Sequence, residues 1–383
     1  MDPTGGREVD HDSINSVEST RLWKENPGTL NRVERWWTRH QPWLEECGYR
    51  LRPRYQPDWK PSWHSVRTSN KLFFEYEDGQ SNEYPHILDA TRISDGTFVT
   101  LKRVRPGTGP EELNVNKFLS SDDFVSDPRN HCVAPLEILQ VPDNETLSLL
   151  VMPLLRPSFD PPFDTFGEVV AFCTQIFEGI QLLHEHHVAH RDCTYLNIMM
   201  DATGMYPNSF HPVDIRRTRD WKGKAKYHSR TLRPPKYWLI DFGLSRIYDP
   251  ANGPALELPV RGGDKSAPEH QDEHYNVPCD PFATDIYYLG NLLREAFIRD
   301  YGGFGFIKPL VDDMVNTEPS KRPKIDDVVA RFKIIRDSLG TWKLRSRLVR
   351  RKEWRIVRVW KFGGHVYRTA GYVLTRKAAI PEP

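Results

Sequence analysis

The sequence has no pair of cysteines at the spacing that metal centres or disulfide frameworks use. Its five cysteines (Cys47, Cys132, Cys173, Cys193 and Cys279) are scattered over 383 residues without a CxxC pair, so we expect a reducing, intracellular setting, cytoplasmic or nuclear. No stretch of about 18 consecutive apolar residues occurs, which predicts that no segment crosses a membrane. The opening residues, MDPTGGREVDHDS, also lack an apolar run, and we expect no signal peptide.

Neither sign of charge is in excess overall, but the charges are unevenly distributed. The formal net charge is +1, yet residues 341–383 hold twelve Lys and Arg against two Glu, whereas the remainder holds 41 basic and 50 acidic residues. A basic tail on an acidic body predicts either an anionic partner, namely membrane lipid or an acidic protein, or a tail that lies on the body or in solvent. No groove-reading motif is present, so we expect no sequence-specific nucleic-acid binding.

The order of the local patterns divides the chain into four parts. Residues 1–65 form an N-terminal extension, expected to be disordered over about the first 20 residues and then to form a strap rich in Trp and Pro. Residues 66–155 carry strand patterns, residues 156–340 carry helix patterns, and residues 341–383 are the basic tail. A basic insertion at about 203–235 is either a docking site for an acidic partner or a flexible surface loop. Strands followed by helices predict an α+β chain with two lobes.

Two local signals are specific enough to position secondary structure. Asp95–Gly96, between two apolar runs, predicts a β-hairpin. Thr165, followed three residues later by Glu168, predicts a capping box at the start of a helix that extends to about His187. Apolar residues at helical spacing predict further helices over 30–44, 285–298, 307–315 and 324–339.

Four short strings follow one another along the chain: VTLK (99–102), HRDCTYLN (190–197), DFG (241–243) and APE (267–269). Phosphoryl transfer from ATP needs cations on the phosphates, a held metal ion and a carboxylate near the attacking hydroxyl. Four residues lie between Asp192 and Asn197, a spacing that lets the aspartate face a hydroxyl while the asparagine turns back to a metal ion. Asp241 follows the apolar run YWLI, which predicts a carboxylate at the exit of a buried strand. Together the strings predict a phosphotransfer site.

These strings resemble the protein-kinase superfamily over roughly residues 85–340. The strings RPRY-PDWxPSW and NIMMD are similar to those of a divergent fungal group of kinase-like proteins. The resemblance implies a bilobal fold with a β-rich N-lobe and a mostly helical C-lobe, and an enzyme that phosphorylates protein Ser or Thr with ATP and Mg²⁺. The implied site residues are Asp192 as catalytic base, Asn197 and Asp241 on the metal, Lys102 on the phosphates, Glu112 (or Glu111) as its partner, and Met152, Leu154 and Met199 around the adenine. It also implies a Glu269–Arg322 ion pair and an Asp285 that receives backbone donors from the catalytic loop.

The sequence departs from the kinase pattern at three places. Counted back from Ala90, the positions of the glycine-rich loop hold Gln80, Asn82 and Pro85, so fewer backbone amides are expected to approach the phosphates. Thr194 replaces the lysine that Ser/Thr kinases carry two residues after the catalytic aspartate, and GGDKSAPE lacks the usual threonine before APE. These departures leave open a pseudokinase that binds or scaffolds without phosphotransfer. Small-molecule kinases share the Asp-x4-Asn spacing but usually lack APE, and they fit less well.

Overall fold

A computed structural model describes residues 27–65, 71–104, 109–260 and 262–383; the opening 20 residues, for which disorder is predicted, lie outside this range. The chain forms two compact units. The first contains the described residues up to Val104 together with Leu136–Leu154 and Asn208–Lys226, and the second contains the rest. An antiparallel sheet dominates the first unit and helices dominate the second. The predicted α+β class is confirmed, and the two units are compatible with a bilobal kinase-like fold.

The first unit is built on a five-stranded sheet. Its strands are β1 (Tyr49–Leu51), β2 (Ile87–Arg92), β3 (Phe98–Val104), β4 (Glu137–Gln140) and β5 (Ser148–Pro153). They pair antiparallel in the order β1-β2-β3-β5-β4. The predicted hairpin joins β2 to β3, and Gly96 in its turn has a φ of 73°, which glycine adopts at little cost. Val99 and Leu101 alternate along β3 into the core, where both are buried.

Helix α1 (Arg32–Glu46) packs its apolar face against this sheet. A capping box begins it, because Asn31 and Glu34 each accept the backbone N–H of the other at 2.9 Å. Trp37 and Leu44, seven residues apart on one face, are buried in the core cluster that includes the strands. The helix predicted over 30–44 is confirmed.

The structure differs from the sequence-based division at the start of the sheet. Strand β1 lies within residues 1–65, so the sheet begins inside the predicted extension. The residues between β1 and β2, 52–86, form one long connection that includes the short helix α2 (Ser62–Ser65). Gln80, Asn82 and Pro85 all belong to it, and the Gln80 amide donates to two backbone carbonyls nearby at 2.9 and 2.8 Å. The three positions counted back from Ala90 therefore lie in a connection of which the structure describes residues 52–65 and 71–86.

Residues 208–226 of the predicted insertion belong to the first unit and are anchored there by buried side chains. The Trp221 ring is buried and its Nε1 donates to a backbone carbonyl at 3.1 Å. Arg219 forms an ion pair with Asp89 of β2, which also accepts a hydrogen bond from Arg52 Nε at 2.9 Å. The predicted alternative of a flexible surface loop is therefore wrong for residues 208–226. The other alternative, a docking site for an acidic partner, stays a prediction.

The second unit consists of helices and two small sheets. Its helices are α3 (Gly109–Leu119), α4 (Asp122–Ser126), α5 (Phe166–Glu185), α6 (Pro281–Leu293), α7 (Lys308–Met314), α8 (Ile325–Ser338), α9 (Thr341–Arg345) and α10 (Arg355–Leu374), with a π-helical turn at Arg294–Ile298. Strands β6 (Arg156–Pro157), β8 (Ile198–Met200) and β9 (Tyr237–Leu239) form one sheet, and β7 (Val188–Ala189) pairs with β10 (Arg246–Ile247). The helices predicted over 285–298, 307–315 and 324–339 are confirmed within a few residues.

Helix α5 is the core helix of the second unit. Thr165 Oγ1 accepts the Glu168 N–H at 3.2 Å, as the predicted capping box requires. The other half of the box is absent, because the Glu168 carboxylate instead accepts the Asp164 N–H at 2.8 Å. Among the described residues, one helix, α5, is long and apolar enough to cross a membrane by length and composition. However, 83% of its most apolar stretch is buried inside the protein, as in the core helix of a folded domain.

The predicted basic tail has two parts. Its beginning packs into the second unit, where Leu344 and Leu348 are buried. Its end forms α10, a helix that the sequence analysis did not predict. All five cysteines of the chain are free thiols.

Candidate active site

Asp285 on α6 holds the loop 190–197 by its backbone. The carboxylate is fully buried and accepts the N–H groups of His190 and Arg191 at 2.8 and 2.7 Å, and His184 Nε2 lies 3.0 Å away. Arg191 has a φ of 65°, a left-handed conformation that costs a non-glycine residue roughly 1–2 kcal/mol and therefore needs such support. The expectation that Asp285 receives backbone donors from this loop is confirmed.

Asp192 is partly buried, and both of its carboxylate oxygens accept hydrogen bonds. Asn197 Nδ2 donates to Oδ2 and to the Asp192 carbonyl oxygen, each at 2.9 Å. The Gly263 N–H donates to Oδ1 at 2.7 Å. Burial raises the pKa of Asp192 above its usual value and the charge of Asp241 adds to this, whereas the Gly263 N–H opposes the shift. The carboxylate is thus held in one orientation and is more basic than an exposed aspartate.

Sheet pairing brings Asn197 and Asp241 to the same end of two strands. Strands β8 and β9 are antiparallel with Ile198 opposite Leu239, so the residue before β8 and the residues after β9 are neighbours. The Ile240 N–H donates to the Asn197 carbonyl oxygen at 3.0 Å. Asp241 follows with an exposed side chain and a φ of 63°. The predicted buried strand before Asp241 is therefore present, and its exit lies beside the loop that carries Asp192.

The APE segment is fixed to the second unit by a buried ion pair. Arg322 Nη1 and Nη2 donate to the two carboxylate oxygens of Glu269, both at 2.7 Å, and Thr284 Oγ1 donates to the same carboxylate at 2.7 Å. Burial by itself would raise the pKa of Glu269, but the bonds from Arg322 hold this pKa below its usual value. The predicted Glu269–Arg322 pair is confirmed.

Gly262 and Gly263 lie against the Asp192 carboxylate, a contact that sequence reasoning missed. The Gly263 amide contacts Asp192 as described, and a Cβ added at Gly262 would lie 2.6 Å from Asp192 Oδ1. A side chain at Gly262 would therefore collide with the carboxylate unless the chain moved. The sequence signal for this contact was the glycine pair itself. Gly262 and Gly263 stand five and four residues before the APE string, in the stretch that lacks the usual threonine.

The segment between DFG and APE is bonded to the loop 190–197 by Arg191 and Ser245. The Arg191 guanidinium donates to the carbonyl oxygens of Leu244 at 3.4 Å and Leu258 at 3.1 Å. Ser245 Oγ donates to the His190 carbonyl at 2.9 Å and is buried. The Arg191 guanidinium thus has two backbone acceptors in this segment.

Lys102 and Glu112 lie on elements of different units. Lys102 is half-buried on β3, opposite Ile87 and Leu150 in the neighbouring strands. On α3, Glu112 is buried and Glu111 is exposed, and a Cβ added at Gly243 would lie 3.5 Å from Glu112 Oε2. Burial beside the DFG segment favours Glu112 over Glu111, and the ion pair with Lys102 stays a prediction.

The residues predicted to surround adenine are also divided between the two units. Met152, at the end of β5, and Leu154, whose N–H donates to the Phe98 carbonyl oxygen at 3.3 Å, belong to the first unit. Met199 on β8 belongs to the second, opposite Trp238. All three predicted side chains are half-buried, and their joint role stays a prediction.

The chemistry around Asp192 fits a nucleotide with a divalent cation. The negative charges of Asp192 and Asp241 act on one another, and a cation between them removes the repulsion. The Thr194 hydroxyl is buried and lacks a hydrogen-bond partner within the part of the chain that the structure describes, so it is available to an incoming acceptor such as a phosphate oxygen. Within that same part no three His, Cys, Asp or Glu residues cluster as metal ligands. Mg²⁺ does not need such a cluster, because it is usually held by one or two carboxylates and substrate phosphates.

Two curated proteins resemble the chain in sequence. "Serine/threonine-protein kinase CAK1" of Saccharomyces cerevisiae is 25% identical over 179 residues, which cover 42% of this chain and 40% of that protein. "Light-sensor Protein kinase" of Ceratodon purpureus is 25% identical over 177 residues, which cover 43% of this chain and 12% of that protein. Over these residues the chain is similar in sequence to protein kinases.

The resemblance is therefore partial in both directions. No family model matches the chain, and the chain spans less than half the length of either curated relative. The shared part supports a kinase-like enzyme.

Proposed function

We propose that this chain is an ATP- and Mg²⁺-dependent protein kinase that transfers the γ-phosphoryl group of ATP to Ser or Thr hydroxyls of proteins. One observation carries the proposal: Asp192 is held by Asn197 and the Gly263 amide on a loop whose backbone is fixed by Asp285. The name of the Saccharomyces cerevisiae relative supports Ser or Thr over Tyr. We extend the proposal to an intracellular location, cytoplasmic or nuclear, because all five cysteines are free thiols.

In this proposal each site residue has one task. Asp192 accepts the proton of the attacking hydroxyl, for which its raised pKa suits it. Asn197 and Asp241 hold the metal ion, while Lys102, positioned by Glu112, binds the phosphates. Met152, Leu154 and Met199 surround the adenine ring. When bound, ATP supplies the phosphoryl group and Mg²⁺ neutralises charge on its phosphates.

Transfer of radiolabel from ATP to a generic protein substrate tests the proposal. Asp192→Asn keeps the shape of the side chain and removes the base, so we expect the rate to fall by about 100-fold or more. Asp312→Asn is the matched control, because Asp312 is an exposed aspartate on α7 paired with Lys308. Equal residual transfer by wild type and Asp192→Asn would refute a kinase that uses Asp192.

A second candidate function is a pseudokinase that binds a partner without phosphotransfer. The observation that favours it is the connection 52–86 between β1 and β2, where active kinases have a short glycine-rich loop. Gly79 is its one glycine, and a Cβ there would lie 2.0 Å from the Phe73 carbonyl oxygen. Gly79 thus serves close packing of the connection, and Pro85, at one of the three positions counted back from Ala90, has no N–H to offer a phosphate.

Thermal unfolding with nucleotide separates the two candidates. A ligand at about 100 times its Kd stabilises the folded state by about 2.7 kcal/mol, so a kinase should unfold at a higher temperature with Mg²⁺ and ATP than with ATP alone. Lys102→Ala and Asp241→Ala should abolish this rise, whereas Lys333→Ala, at an exposed lysine of α8, should keep it. No rise at millimolar nucleotide would favour the pseudokinase.

A further inference from the structure

Helix α10 exposes a continuous apolar and aromatic face. Ile356, Trp360, Tyr367 and Leu374 follow one another at intervals of four or seven residues, which places them on one side of the helix. Each is between 80% and 83% exposed. The neighbouring positions are also apolar and exposed: Val359, Phe362, Val366 and Val373. A continuous apolar surface of this kind usually marks an interaction site.

The polar face of α10 is turned toward the protein. His365 is buried, with Nε2 lying 2.9 Å from a backbone carbonyl oxygen of the second unit. Arg368 donates to Asp164 at 2.7 Å, and the Tyr372 hydroxyl lies 2.6 Å from Ser229 Oγ. His365, Arg368 and Tyr372 are three, four and seven residues apart and share one side of the helix. A surface helix of a globular protein is normally oriented the other way, with its apolar stripe toward the core.

Exposed cations accompany the apolar face. Lys352, Arg355, Arg358 and Arg376 are exposed, and none of them forms an ion pair with a residue that the structure describes. Glu353, the acidic residue near the start of α10, is already bound by Arg347 and Lys361. The outward surface of this segment is therefore apolar and positively charged.

We propose that α10 binds the surface of membranes that contain anionic lipid, lying flat with its apolar face in the headgroup and acyl boundary. Trp and Tyr favour this boundary, and Lys and Arg beside it reach the anionic headgroups. A second copy of the chain fits less well, because its α10 would bring cations of the same sign against these ones. The inference rests on α10 alone and is independent of the proposed kinase activity.

Co-sedimentation of the full chain with vesicles tests this proposal. The chain should bind vesicles of phosphatidylcholine with phosphatidylserine, bind phosphatidylcholine vesicles weakly, and lose binding as salt is raised. Ile356→Ser combined with Trp360→Ser should weaken binding by about tenfold or more, because two side chains no longer enter the apolar region. Arg355→Gln combined with Arg358→Gln should weaken it by about fivefold per residue.

Matched control variants come from α8, outside the proposed surface. Ile334→Ser changes an isoleucine that is 72% exposed, and Lys333→Gln changes an exposed lysine, so both should bind vesicles as wild type does. All substituted side chains are exposed, and an unchanged thermal midpoint confirms that each variant folds.

Three results would overturn the proposal. The first is no binding to phosphatidylserine vesicles, and the second is equal binding by wild type and the Ile356→Ser/Trp360→Ser variant. The third is selective binding of a soluble acidic polypeptide, or a dimer in sedimentation equilibrium that this variant dissociates, without vesicle binding. The face would then serve an acidic protein or a second copy of the chain.

Discussion

Replacing Asp89 with asparagine removes the central anion from a buried cluster of charges in the first unit. Asp89 is buried between Arg52, whose Nε donates to it at 2.9 Å, and Arg219 of the anchored insertion. Without it, Arg52 keeps a carboxylate partner in Glu77, at 3.2 Å, and Arg219 loses its partner. Breaking a buried ion pair by removing one side costs about 3–5 kcal/mol. We expect Asp89→Asn to lose about this much unfolding free energy, which corresponds to roughly 6–20 °C in Tm.

The pH dependence of this loss has a definite sign. Burial alone would raise the pKa of Asp89, but Arg52 and then Arg219 hold it below the usual value of 3.8. A carboxyl whose pKa is lowered on folding stabilises the protein above its unfolded pKa, and that contribution disappears as the pH falls through the folded pKa. Asp89→Asn should therefore be most damaging near neutral pH, and its stability should fall less steeply than that of wild type in acid.

Urea unfolding near neutral pH and in acid measures both effects. The control is Asp95→Asn, an exposed aspartate in the hairpin turn that pairs with Arg92, where the change creates the favoured Asn-Gly turn and should alter stability little. Limited trypsin digestion should also cut residues 208–226 faster in Asp89→Asn than in wild type, because Arg219 no longer anchors them. A loss below about 1 kcal/mol, or an equal loss in Asp95→Asn, would refute the reasoning.

Three further predictions concern the second unit. Gly262→Ala should lower the proposed kinase activity by about 100-fold, because its Cβ displaces the Asp192 carboxylate. Gly305→Ala, with open space around its Cβ, should leave the activity unchanged. Equal activities of the two variants would contradict the contact between Gly262 and Asp192. The midpoint of the acid limb of the kcat/KM profile should lie above the usual aspartate pKa of 3.8, because burial raises the pKa of Asp192 and its protonation removes the proposed base. A midpoint at or below 3.8 would refute this assignment. Glu269→Gln should lower the unfolding free energy measured in urea by about 3 kcal/mol, because Arg322 stays buried with a weaker partner. Combining it with Arg322→Met should recover part of this loss. No recovery would show that the loss does not come from breaking the ion pair.

The features predicted correctly from local patterns depend on residues close together in sequence, whereas the Glu269–Arg322 pair and the contacts of Asp285 were predicted from the resemblance to kinases. The turn at Asp95–Gly96, the cap at Thr165 and the loop containing Asp192 and Asn197 are each specified within a few positions, where steric and hydrogen-bonding rules act directly. Strand β1 was missed because Tyr49–Leu51 is too short to show a period, and its partner lies beyond the long connection 52–86. Gln80, Asn82 and Pro85, the positions counted back from Ala90, lie within that connection.

Contacts between distant segments could not be predicted from local patterns. The ion pair between Arg219 and Asp89 joins residues far apart in the chain, and nothing near Arg219 indicates that it is anchored. The outward orientation of α10 is a different case, because the spacing of Ile356, Trp360 and Tyr367 was visible in the sequence. Gly363 and Gly364 interrupt that pattern with poor helix formers, and composition alone does not say which face meets the protein.

The acceptors of Arg191 have a consequence for how such an enzyme is controlled. Its guanidinium binds the backbone carbonyls of Leu244 and Leu258, and these acceptors are present in every copy of the chain, modified or not. In the proposed kinase, the segment between DFG and APE would keep these contacts without a phosphate on any side chain. The activity of the proposed kinase in the cell would then depend on how many copies of the chain are made and where they are. Helix α10, which is proposed to hold the chain at a membrane surface, would then control that activity.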